Sequence, residues 1–195
     1  MNISFTSFIK PFLNIIDSGE LFRKPFSWLY YLLAGLNLLV PVALLFKLGD
    51  VFDMPFKFAI TFILTWFVVA AAGWIGFQIW WDRKEMVTKT SAVGDEFIAT
   101  PVFAHFVQTF GEWLAAWVTV VGLGFALFSS IFLGDSASQL ARMMGIPLAS
   151  GFVFILLYPI IGFAIIVVFR FLAETFRAIA SIANNTRSNT STLNS

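Results

Sequence analysis

The sequence predicts an all-α integral membrane protein. It reads as about four transmembrane helices in a bundle, with an amphipathic N-terminal segment and an interfacial helix before the third span. Three observations predict this class. The 195 residues are 59% apolar and only 12% charged, with a mean hydropathy of +0.87, whereas a soluble domain carries about 25% charge. Four long stretches hold no Asp, Glu, Lys or Arg. Lysine and arginine are divided unequally between the connections.

The charge-free stretches are Trp28–Phe46, Phe58–Trp81, Trp113–Gly134 and Met143–Phe169. A hydrocarbon core of about 30 Å takes roughly 20 residues at 1.5 Å rise each. Within lipid, backbone N–H and C=O groups must pair inside the segment, so each stretch is expected to be helical. The spans are placed at about 28–48, 57–81, 113–134 and 148–170, within a transmembrane domain of 28–183.

Residues 1–27 read as a cytoplasmic or interfacial amphipathic segment, since Phe5, Phe8, Ile9, Phe12 and Ile16 would share one helical face. This segment lacks the form of a signal peptide: Lys10 is followed at once by Pro11, and Asn14 and Asp17 interrupt the apolar run. A shorter charge-free run, Phe97–Gly111, has Phe103, Phe106, Val107 and Phe110 at helical spacing after Thr100-Pro101. It is expected to lie at the interface and feed the third span, with a re-entrant path as the alternative for both segments. From Asn184 to Ser195 the chain turns to Asn, Ser and Thr, and a disordered polar tail is expected.

Nine basic residues (Lys10, Arg23, Lys24, Arg83, Lys84, Lys89, Arg170, Arg177, Arg187) fall on one side of this topology, and three (Lys47, Lys57, Arg142) on the other. The positive-inside rule then puts both termini and the central connection in the cytoplasm. Trp28, Trp80, Trp81, Trp113 and Trp117 gather near the same boundary, where an indole satisfies both its apolar body and its polar tip. A bacterial inner membrane is the expected location.

Composition removes several kinds of chemistry. With no cysteine, thiol catalysis, iron–sulfur ligation and thiolate zinc sites are excluded. A single histidine excludes an HExxH zinc site. A net charge of +1 gives no case for nucleic acid. No catalytic residue, cofactor or metal site is expected, and the chain is not read as an enzyme.

Three groups of residues remain. Gly122, Ala126, Ser130 and Gly134 recur every four positions in the third span, a spacing that lets another backbone approach closely. They form a candidate packing seam, either between subunits or between the chain's own helices, with Ala72 and Gly76 as a shorter version. His105, Gln108 and Glu112 share a helical face and form a candidate polar functional face, able to pass protons or bind a cation. Arg170, Glu174 and Arg177, at i, i+4 and i+7, form a charged cytoplasmic helix end able to dock a partner or anchor the span. Asn37 and Gln78 are in-span amides expected to bond to neighbouring helices, and Pro41 and Pro159 are expected to kink theirs.

The functional expectation is a non-catalytic subunit or scaffold of a membrane complex. The alternative is a homo-oligomeric channel or transporter for a small solute or ion. The expected partners are membrane lipids and either further copies of the chain or other membrane subunits.

Overall fold

The computed structural model describes residues 20–89, 99–145 and 148–193. Apart from turns and short connections these are helical, with no strand among them. In chain order the helices are α1 (Glu20–Leu45), α2 (Leu48–Phe52), α3 (Phe56–Lys89), α4 (Ala99–Phe132), α5 (Ala137–Met144) and α6 (Phe152–Leu193), with a 3-10 turn at Gly134–Ser136. Four of them, α1, α3, α4 and α6, are long and apolar enough to cross a membrane. At 1.5 Å per residue, the 34 residues of α3 and of α4 reach about 51 Å, and the 42 of α6 about 63 Å. Each exceeds the hydrocarbon thickness.

The main interfaces join α1 to α3, α3 to α4 and α4 to α6, with a smaller contact between α1 and α4. Each long helix therefore packs on its neighbour in sequence, and α4 is the hub. Two apolar clusters fill the interfaces. One, at the end carrying the short connections, gathers Leu44, Phe58, Phe62, Phe125 and Leu133 under α2 and α5. The other, at the charged end, is aromatic: Tyr30 and Trp80 meet edge-on at 5.0 Å, and Phe106 lies 5.8 Å from Trp80.

Glycine and proline set the closest approach. Pro41 has no N–H, so the Asn37 carbonyl one turn earlier loses its usual helical donor. Gly73 of α3 takes the space beside it, since a Cβ there would stand 2.7 Å from that oxygen. At Gly76, one turn along, a Cβ would collide with the Asn37 side chain. Bare backbone is what lets α1 and α3 touch here.

Several elements depart from the sequence reading. Among the described residues no separate interfacial helix precedes the third long apolar stretch, because Phe97–Gly111 from Ala99 onward belongs to the unbroken α4. Val102, Ala104, His105 and Thr109 are buried, and this packing holds the segment in line with the span. Gly111 lies inside this helix, and the Phe169 side chain of α6 occupies the space a Cβ would take.

The third helix ends at Phe132, so Gly134 lies beyond it at φ +53°. The fourth begins at Phe152, and Met143 and Met144 belong instead to α5, which ends at Gly145 in the left-handed region at φ +68°. The backbone stays helical through Asn184 to Leu193, where disorder was expected; helix already formed propagates at little cost. The N-terminal amphipathic segment up to residue 19 lies outside the described residues, and α1 already starts at Glu20.

Candidate functional site: a polar clamp and a tryptophan lock

The charged end brings together Gln108, Glu112 and Arg177, and adds Arg83. Arg83 on α3 meets Glu112 on α4, Nη2 to Oε2, at 2.8 Å, with side chains 32% and 22% exposed. Gln108, one turn before Glu112, donates to its other carboxylate oxygen at 3.0 Å. Arg177 of α6 then donates to Gln108 Oε1 at 2.7 Å. The result is a polar clamp across three helices, with every carboxylate oxygen of Glu112 occupied. Glu112 stands 20 residues from the end of α4 at Phe132, about 30 Å, so the clamp sits one hydrocarbon thickness from the opposite end.

His105 shares the helical face but not the clamp. Its Nε2–H donates to the Arg83 backbone carbonyl at 3.3 Å, and its own carbonyl accepts from Thr109 Oγ1 at 2.9 Å. Thr109 in turn accepts from the Tyr30 hydroxyl at 3.2 Å. This second chain of bonds ties α1 to α4 and α4 to α3. Arg170 and Glu174 remain exposed and form no ion pair with each other or with Arg177.

Deeper in the molecule Asn37, 4% exposed, is the acceptor of a lock that sequence reading did not resolve. Trp113 and Trp117, one turn apart on α4, both donate their indole N–H to Asn37 Oδ1 at 2.7 Å. The Asn37 amide nitrogen donates to the Leu33 carbonyl at 2.7 Å. Both lone pairs and one of the two amide protons are thus used. Gly76 leaves room for the group, its missing Cβ facing both Asn37 and, at 3.0 Å, Trp117 Nε1. The partners lie 76 and 80 residues apart in sequence, and the one available signal was an amide and two interface tryptophans at similar depth.

At Gly122 the small-residue seam is filled from within the chain. A Cβ at Gly122 would collide with the Tyr158 ring of α6, and one at Gly162 with the Thr119 side chain of α4. Ala126 is buried, and Ser130 borders a cavity of about 330 Å³ with Gly134, Asp135, Ser150, Gly151 and Phe152. Among the described residues no three of His, Asp and Glu gather in a way that could hold a metal ion.

No protein-family model matches the chain, and no curated protein or solved structure matches it either.

Proposed function

We propose that this chain is a non-catalytic multi-pass subunit or scaffold of a membrane complex, held in a bacterial inner membrane with both termini in the cytoplasm. The observation that carries the reading is the unequal cover of the four long helices. In the most apolar stretch of α3 and of α4, 39% of residues are buried, but in that of α6 only 11% are. One stripe of α6, through Tyr158, Gly162, Ala173 and Ala180, faces the molecule. The rest presents Phe163, Val167, Phe171, Ile179 and Ile182 outward, and the last two lie past Arg177.

With the clamp at the hydrocarbon boundary, Ile179 and Ile182 stand in or beyond the headgroup layer, where lipid tails no longer cover them. An apolar stripe at that level suits a partner helix. The polar groups support the same reading, since Glu112, Gln108 and Asn37 are used to hold helices together. The nine-to-three distribution of basic residues supports the orientation.

The test is native mass spectrometry of the protein extracted gently from its own membrane, at natural expression, with Ile179→Glu/Ile182→Glu beside it. A second polypeptide in fixed stoichiometry, lost in the double variant, is the expected result. A clean homo-oligomer with no other chain would turn the reading towards a channel or transporter, for which the polar-lined cavity at Ser130 and Asp135 is the structural support. An isolated monomer would overturn both.

A further inference from the structure

The outward face of α3 carries a set of groups that neither the clamp nor the lock uses. Trp74, Phe77 and Trp81 recur at helical spacing and stack on one another. The Trp74 and Phe77 rings are 5.5 Å apart and inclined by 23°, and Phe77 and Trp81 are 5.3 Å apart and inclined by 24°. Trp74 and Trp81 are 54% and 43% exposed, so the ladder faces out of the molecule. At its end the Lys84 ammonium lies 3.3 Å above the Trp81 ring and 4.6 Å above that of Tyr31 from α1. Lys84 has no carboxylate partner among the described residues.

Gln78 lies on the same face, at 74, 77, 78, 81 and 84 along the helix. It is exposed and finds no hydrogen-bond partner among the described residues. An amide at the edge of lipid with its donors unmet is costly unless a ligand supplies acceptors. Depth says which acceptors are available. Lys57 marks the opposite end of α3; Gln78 follows it by 21 residues and Lys84 by 27, about 32 Å and 40 Å along the axis. The first distance matches the hydrocarbon core, and the second approaches the core plus headgroup layers. Gln78 is therefore level with the glycerol esters of a phospholipid, and Lys84 with its phosphate.

We propose that the α1/α3 face holds one glycerophospholipid in a defined site. Its phosphate lies on Lys84, an ester carbonyl accepts from the Gln78 amide, and an acyl chain runs along the Trp81–Phe77–Trp74 ladder. Bulk lipid covers any apolar helix, but this face adds a cation and an amide donor about 9 Å apart along the axis. The ring stack also pre-orients the ammonium, since it is held over Trp81 rather than free. The proposal rests on the membrane reading, which resistance of the native protein to alkaline extraction from membranes tests separately.

The experiment is native mass spectrometry of the full chain in detergent micelles doped with dioleoyl phosphatidylglycerol. The wild type is expected to keep one phospholipid at collision energies that strip all others. Lys84→Gln should reduce that adduct about tenfold and Gln78→Leu about fivefold, whereas Lys84→Arg and, on α6, Phe163→Leu should keep it. Both reducing substitutions lie on the exposed face and leave the packed interior unchanged, so retained monodispersity is expected as well. Equal adducts in wild type and variants overturn the proposal. So does a dimer seen in the wild type and lost in Gln78→Leu, which would give the amide to a second copy of the chain.

Discussion

Asn37 and Gln78 are carboxamides on the first two membrane-length helices, and the fold treats them in opposite ways. Asn37 is enclosed where α1, α3 and α4 converge, with two indoles on its oxygen and glycine opposite. Gln78 is on the other side of α3, exposed and without a protein partner among the described residues. The same chemical group thus closes the molecule on one side and leaves it open on the other. A polar residue in a span is informative only together with what stands beside it. Asn37, whose oxygen is fully occupied by protein, is structural, and Gln78 is the position at which the proposed lipid supplies the partner.

If that contrast is right, contacts on the closed side should cost stability in proportion to how completely protein surrounds them. The largest effect is expected for Asn37→Leu, which leaves the Trp113 and Trp117 N–H groups buried without an acceptor. A loss of about 3 kcal/mol is expected, measured by SDS-titrated unfolding in mixed micelles. A loss below about 1 kcal/mol would break the comparison, because the lock would then be replaceable by packing alone.

Next is Gly122→Val, which forces a branched side chain into the Tyr158 ring. It should cost about 2 kcal/mol by overpacking and loosen α6, seen as faster proteolysis of its C-terminal half. An unchanged cleavage rate would mean that α6 is held mainly elsewhere. The smallest effect is expected for Glu112→Gln. The ion pair with Arg83 is a quarter to a third exposed, and such pairs are worth about 1 kcal/mol or less. A measured loss of 3 kcal/mol would show the clamp to be shielded far more than its exposure indicates.

The four long apolar helices were legible because missing charge is a local signal, readable without knowing any contact. The clamp was half legible. Gln108 and Glu112 lie one turn apart and share a face by periodicity alone, but Arg83 and Arg177 reach them from helices that sequence spacing does not place. The continuity of α4 was illegible for a related reason. The charge at Glu112 sets Phe97–Gly111 apart from the third charge-free stretch, until Phe169 packs on Gly111 and the Tyr30–Trp80–Phe106 cluster buries the flank. The amphipathic α5 was missed because it runs across the start of the fourth charge-free stretch, so Met143 and Met144 were counted with the long helix that follows. Of the candidate seam, Gly122 meets Tyr158 of this chain's own α6.

Pro41 has a consequence that reaches past its own helix. A proline inside a span is usually counted as a local defect, a place where the rod bends. Here it leaves the Asn37 carbonyl open toward α3, and the residue that meets the opening is Gly73, which has no side chain. The two positions therefore specify each other. A helix with any larger residue at 73 could not settle beside α1, and with an ordinary residue at 41 the carbonyl would turn back to its own helix and no longer select for one. The missing donor acts as an address, telling the second long helix where along the first to stop sliding.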